Sequence, residues 1–320
     1  MKKIVFFSFL ILCFDVSGQT KVQKQLLEKT MEKYRAHQSV SYDVQYGIRY
    51  FDAGKSFVVT SHVDLLKLEA DSVFHGMFMY SRKDSLVNVI KYYKPDTLLV
   101  IDLQKQLITQ FDVSKGHTFP VTGNLDGGVL ETYFLETDKL RQKLTDPENK
   151  VSYSDTAGYL KVSIRYPDDE ECTGREEAVY IDKKTKTIRK ITYNTGYRDQ
   201  IQGNQWQLSN ILFDKVREAE LDSVVRNYSD TFKTEIYRPL TEADFKLLEN
   251  GANAPEIKGK LFPDYDQMVR LKNDKMRILE FWDISCIPCI QTIPDLNRLK
   301  QKRPALRGLA SSLNTLMLRY

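Results

Sequence analysis

Ser39-Val40-Ser41-Tyr42-Asp43-Val44-Gln45-Tyr46-Gly47-Ile48-Arg49-Tyr50 is the stretch that decides the fold class of this chain. Val40, Tyr42, Val44, Tyr46, Ile48 and Tyr50 place an apolar or aromatic side chain at every even position. Ser39, Ser41, Asp43, Gln45 and Arg49 hold the odd ones. Strict alternation over this length is the period of a strand with one packed face and one wet face.

The same signal recurs on the C-terminal side. Phe57, Val59, Val63 and Leu65 alternate, as do Phe74, Phe78 and Tyr80, and Leu98 to Leu103 is a short apolar run. Leu160, Val162, Ile164 and Tyr166 repeat the two-residue period. Val179 and Ile181, then Ile188 and Ile191, flank the polar link Lys183-Lys184-Thr185-Lys186 and predict a hairpin. Trp206, Leu208, Ile211 and Phe213 mark a further strand whose change of parity predicts a bulge. On the N-terminal side, Val22, Leu26, Leu27, Met31 and Tyr34 form a helical stripe. Gly123, Gly127 and Gly128 interrupt the strands, and Leu130 to Leu144 reads as a second helix. The sum is a curved antiparallel sheet with a helix on one face. Its aromatics read first as ordinary core, and second as the lining of a concavity for an apolar ligand. The helix-then-strands order resembles the LolA/LppX-like lipoprotein-carrier half-barrel over most of residues 20 to 230.

The chain has 320 residues, enough for two domains, with 42% hydrophobic and 28% charged residues. Disorder, collagen and multi-span membrane classes are excluded on that composition. A net charge of +4 from 47 basic and 43 acidic residues gives nucleic-acid binding no electrostatic footprint. Met1-Lys2-Lys3, the apolar stretch Ile4 to Phe14 and the small residues Val16-Ser17-Gly18 form a secretory signal over residues 1–18, cleaved before Gln19. The apolar stretch falls well short of the roughly 20 residues a spanning helix needs, so no membrane span is expected after cleavage. Cys13 follows Leu12 and not a small residue, which disfavours lipoprotein anchoring. Location beyond the inner membrane, periplasmic or secreted, allows disulfides to persist.

Three cysteines remain in the mature chain: Cys172, Cys286 and Cys289. Cys172 follows Asp168-Asp169-Glu170-Glu171, whose carboxylates raise a thiol's pKa and make it a poor nucleophile. The other two lie in a different setting. Ile278-Leu279-Glu280-Phe281-Trp282 is a buried-strand segment, and Cys286-Ile287-Pro288-Cys289 leads into helical spacing at Ile290, Ile293 and Leu296. Sulfurs three residues apart in a first helical turn face the same way, and the helix N-terminus favours a thiolate. Cys286 is the expected attacking sulfur and Cys289 the resolving one, with Pro288 accommodated early in the helix. A zinc site lacks a second ligand pair, because His37, His62, His75 and His117 are remote in sequence. A c-type haem site needs His where Ile290 stands.

This stretch resembles the thioredoxin superfamily, in particular the secreted TlpA/ResA-like reductases. Phe281-Trp282, the Cys286–Cys289 motif, Pro294 and the upstream Asn253-Ala254-Pro255-Glu256 carry the resemblance over about residues 251 to 303. It implies that Glu280 is a buried acid beneath the cysteine pair; the alternative is a partly exposed glutamate at a strand end. It also implies that Trp282, Ile287 and Pro288 form the rim against which substrate rests. Ile287 replaces the family's common glycine, and only Ala305 to Tyr320 follow Pro304, so the expected domain is C-terminally shortened.

The fold class read from the sequence is therefore α+β. An antiparallel β-rich domain (19–240), of half-barrel pattern, precedes a partial α/β thioredoxin-like domain (241–320). The expected function is extracytoplasmic thiol–disulfide exchange on protein cysteines by Cys286, Cys289 and Glu280. It needs no cofactor or metal and draws electrons from an unnamed redox partner. The alternative is a non-catalytic binding protein for an apolar ligand or a protein partner, with the cysteine pair a remnant locked as a disulfide.

Overall fold

The structure, a computed structural model, describes residues 20–49, 56–84, 87–122, 131–170, 172–197, 200–239, 241, 257–261, 268–271, 298, 301–302 and 316–317. Helix α1 (20–36) is the expected amphipathic helix, and its stripe residues Leu27, Met31 and Tyr34 are buried. Its C-terminal carbonyls need donors, and Lys67 supplies them: Nζ donates to the carbonyls of Tyr34 (2.7 Å), Arg35 (3.0 Å) and His37 (2.8 Å).

The chain then enters β1 (Ser39–Arg49) and runs outward as a meander through β2 (Ser56–Lys67), β3 (Gly76–Lys83), β4 (Asn88–Lys94), β5 (Thr97–Asp102) and β6 (Leu107–Phe111). A short 3-10 turn, α2 (Phe119–Thr122), α3 (Glu131–Phe134) and α4 (Thr137–Thr145) carry it to the opposite edge. A second meander returns through β7 (Lys150–Thr156), β8 (Tyr159–Arg165), β9 (Thr173–Asp182), β10 (Thr187–Tyr197) and β11 (Gln200–Phe213). Helix α5 (Glu218–Ser229) then leads to β12 (Lys233–Ile236) beside β6.

The result is one open 12-stranded sheet of order β12-β6-β5-β4-β3-β2-β1-β11-β10-β9-β8-β7, antiparallel except for the parallel β12–β6 pair. The two meanders meet at β1–β11, which pairs residues such as Val44 with Leu208 and Tyr46 with Trp206. The bulge lies where the change of parity predicts it. Ser41 opposes Leu212 and Asp43 opposes Ser209, leaving one extra residue on β11. Asn210 at this bulge takes a positive φ of 51° and donates its amide to Asp43 (2.6 Å).

Register assigns the faces. Val40, Tyr42, Val44 and Tyr46 share a face with Val63, Leu65, Phe78, Tyr93 and Leu98 on one side, and with Leu208, Ile191, Val179 and Val162 on the other. Helices α1, α3 and α4 pack on this face: Tyr34 meets Phe134 and Phe213 edge-on, and its hydroxyl accepts from Ile188 N–H (3.0 Å). The opposite face was expected to be wet throughout, and over β3–β6 it is not. Met77, Met79, Ile90, Tyr92, Leu99, Ile101 and Ile108 form a second core beneath Leu221 of α5. The sheet thus carries helices on both faces, where the sequence reading placed a helix on one.

Two smaller differences have local causes. The helix expected over Leu130 to Leu144 is two short ones, α3 and α4, divided at 135–136, so that Tyr133, Phe134, Leu135 and Leu140 can all be buried. Phe74, assigned to a strand, sits in the preceding turn. Buried Asp71 accepts from the backbone N–H of Val73, Phe74 and Gly76 and from the Tyr93 hydroxyl, and so holds that turn shut.

The chain divides into two compact units, Met1–Tyr237 and Arg238–Tyr320. In the second, β13 (Ile257–Leu261) pairs antiparallel with both β14 (Met268–Leu271) and β15 (Leu316–Met317). The βαβ crossover that the expected α/β domain requires does not occur among the described residues.

Candidate functional site

Cys286, Cys289, Glu280, Trp282, Ile287 and Pro288 all lie outside the described residues, as does residues 1–18. Cys172 is the free cysteine among the described residues, half-buried, with its backbone N–H donated to Asp169 (2.6 Å). No group of histidine, cysteine and carboxylate side chains that could hold a metal occurs among the described residues. The geometry that invites a functional reading lies elsewhere, on the helix-bearing face of the sheet.

Towards the hairpin end of β10 and β11, beyond the Tyr34–Ile188 contact, Tyr46 and Trp206 oppose each other in register. Their rings stack with centroids 5.2 Å apart and planes at 29°. Around them Val44, Val59 and Leu208 are buried. Among the described residues, Ser61 Oγ, Thr195 Oγ1, Gln202 Oε1, Asn204 Oδ1 and Trp206 Nε1 on the same face are also buried without a hydrogen-bond partner, as is Arg175 Nε two residues from Glu177 on β9. Ser61 and Trp206 are only 4% and 5% exposed. Register makes these atoms neighbours: Thr195 opposes Gln202, and Asn204 lies two residues from each of Gln202 and Trp206 along β11. Burial pushes the Tyr46 phenol up to about 12, so it stays protonated.

A buried group ordinarily finds a partner, and one left without costs about 1–3 kcal/mol. Several such atoms beside an aromatic pair give the packed interior of this face both apolar and hydrogen-bonding capacity. Charges next to it are already matched. Arg82, opposite Ser61, donates from Nε to Asp84 (2.7 Å). Glu177, opposite Tyr193, accepts from Lys143 (2.8 Å), Tyr166 (2.7 Å) and Tyr133. Burial alone would raise the Glu177 pKa, but the Lys143 charge and these bonds hold it below the usual glutamate value.

The wet face carries a different cluster. His62 Nδ1 donates to Asp43 (2.7 Å), and His62 Nε2 lies 3.4 Å from Asp64 and 3.3 Å from Ser41 Oγ. The order serine, histidine, carboxylate suggests a nucleophilic triad, but the chemistry is wrong for one. The Asp64 hydrogen bond, joined by that to Asp43 against the opposing effect of burial, raises the His62 pKa to about 9. An imidazolium at neutral pH cannot take the serine proton. The cluster is a cross-strand ion pair that ties β1 to β2.

No protein-family model and no curated protein matches this sequence. Solved structures similar to the chain include a DUF1329 family protein from Desulfovibrio piger (13% identity, 64% of this chain and 98% of that one, TM-score 0.32). A putative outer membrane lipoprotein-sorting protein domain from Vibrio parahaemolyticus matches at 9% identity over 62% and 96% of the two chains (TM-score 0.29). A LolA superfamily protein from Nitrosomonas europaea matches at 10% over 62% and 96% (TM-score 0.28). At such scores these likenesses carry no argument about this chain's ligand.

The thioredoxin-superfamily resemblance is corrected by these findings. No family model of any kind matches, the similar structures named above are of another type, and the described strands of the second unit are paired antiparallel. The physical reason is economy of signal: a CxxC at a strand–helix junction fixes two sulfurs and a proline, too little to specify a fold. Oxidoreductase activity and a thiol substrate lose their support with it. The sequence reading missed Ser61, Thr195, Gln202 and Asn204 because polar residues carry no inward signal of their own. The registers of β1 against β2 and β11, and of β10 against β11, are what turn them to the packed face.

Proposed function

We propose that this chain is an extracytoplasmic, non-catalytic binding protein whose large sheet holds an apolar or amphipathic small molecule against the Tyr46–Trp206 face. The observation that carries this reading is the set of buried, unpartnered polar atoms around a stacked aromatic pair. The helix-then-sheet order shared with lipoprotein-carrier half-barrels supports it, and so does the signal-like segment at residues 1–18. No helix among the described residues is long and apolar enough to cross a membrane. The cysteine pair Cys286–Cys289 stands in this reading as a locked disulfide with no exchange role.

The test is a titration of the solvent-extracted protein with the neutral fluorescent probe N-phenyl-1-naphthylamine. Saturable one-site binding, weakened in Tyr46→Ala, is expected. Linear, non-saturating fluorescence in the folded protein would overturn the reading. Alkylation of Cys286 and Cys289 without reductant should fail, and ready labelling at neutral pH would restore a case for thiol chemistry.

A further inference from the structure

We infer that the ligand held on this face carries an uncharged, hydroxyl-bearing head, which the cluster Thr195, Gln202, Asn204 and Trp206 recognises beside the aromatic pair. This rests on the reading above that the Tyr46–Trp206 face binds a small molecule, and it adds the chemistry of the ligand's polar end.

The argument runs through donors and acceptors. Trp206 Nε1 can only donate, so it requires an acceptor. Gln202 Oε1 and Asn204 Oδ1 can only accept, so they require donors, and Thr195 Oγ1 serves either way. A carboxylate or phosphate offers acceptors alone. It would satisfy the indole and be repelled by the two amide carbonyls. A bare hydrocarbon satisfies none of the four. A hydroxyl or a glycerol-like diol both donates and accepts, and so matches the whole set. A hydroxyl also serves if either amide is turned over, since its oxygen then accepts from the amide nitrogen.

Charge points the same way. Thr195, Gln202, Asn204 and Trp206 are all uncharged. The flanking charges are spoken for, Arg82 by Asp84, Arg175 by Asp169 (3.0 Å) and Glu177 by Lys143 and two tyrosines. An ionised head would enter a desolvated region with no unpaired counter-charge, which is strongly unfavourable. The apolar remainder of the ligand would lie along Tyr46, Val44, Val59 and Leu208, which present stacked aromatic and branched surface.

The experiment compares three compounds that each carry an 18-carbon chain as competitors of N-phenyl-1-naphthylamine on the solvent-extracted protein: monoolein, oleate and 1-octadecene. Monoolein is expected to displace the probe at about tenfold lower concentration than either of the others, roughly one net hydrogen bond's worth. Trp206→Phe and Asn204→Leu should each erase most of that preference, read within each variant as the ratio of monoolein to octadecene displacement, so that any loss of apolar contact at Trp206 cancels. Thr195→Val, the least disruptive change, should reduce the preference if a larger variant does not fold. Oleate or octadecene matching monoolein, or a preference that survives all three variants, would overturn the head-group inference and leave the binding reading intact. Failure of the probe itself to bind would remove both.

Discussion

His62 and Lys67 show single side chains holding elements together, and each makes a measurable claim. The folded-state pKa of His62, about 9, lies above the ordinary value of 6.5 because Asp64 and Asp43 favour the cation. A raised pKa means that the pair's stabilising contribution is fully present below pH 6.5 and is lost as pH rises through about 9. Urea midpoints of the wild type should therefore fall towards those of His62→Gln between pH 6.5 and 9.5. Parallel pH profiles for the two proteins would refute the assignment. Because the His62 side chain is 46% exposed, solvent screening keeps the effect small. Lys67 should matter more. Its ammonium donates to three carbonyls at the end of α1 and lies 4.3 Å over the Phe134 ring. Lys67→Met keeps the stem and deletes the donors, and should cost about 2–3 kcal/mol in chemical denaturation. A loss under 0.5 kcal/mol would show that solvent replaces the cap.

At the scale of elements, α5 is what converts half of the sheet from one-sided to two-sided packing. Leu221 is 3% exposed over Met77, Met79, Tyr92 and Ile101, and the Tyr92 hydroxyl donates to Asp222 on the same helix. Leu221→Ala should cost about 2–5 kcal/mol at an unchanged denaturant slope. A reduced slope would mean that α5 had come away by itself. The same element shows where sequence legibility ends. Strands β1, β2 and β8 alternate cleanly because one of their faces meets water, and their positions are readable, as is the Trp206–Phe213 part of β11 on either side of its bulge. Strand β4, Asn-Val-Ile-Lys-Tyr-Tyr-Lys, has Ile90, Tyr92 and Tyr93 all buried, so its period is blurred and the reading passed over it. Tyr46 and Trp206 were legible as strand aromatics. Thr195, Gln202 and Asn204 stand in a mostly polar stretch from Asn194 to Gln205, broken by Tyr197 and Ile201, and such a pattern resembles a loop until its pairing is known.

For the whole molecule, the decisive feature is that two meanders far apart in sequence close on each other at the centre of one sheet. β1 is bonded to β2 on one side and to β11 on the other, so removing either meander would leave a bare strand edge in the middle. Pairings such as Tyr46 with Trp206 span most of the described chain, and their loop-closure entropy must be met before contacts offset it. Neither half can then retain its packing while the other opens. The α1 helix reinforces this, since Tyr34 touches Phe134 from the crossover, Phe213 from β11 and Ile188 from β10. Native-state hydrogen exchange should therefore report one opening free energy for the buried amides of β4 and β5 and for those of β9 and β10, equal to the global value from denaturation. Destabilising the seam with Val44→Ala should lower both sets together by about 1–3 kcal/mol, with folding in the millisecond-to-second range typical of nonlocal β-topologies. Exchange that lowers β9 and β10 while leaving β4 and β5 protected would show two independent halves. The binding face would then be a joint between them, and ligand would be expected to raise the stability of the seam alone. If the two meanders open as one, the proposed ligand raises every protected amide of the 12-stranded sheet by the same amount, because the face it would occupy belongs to both meanders.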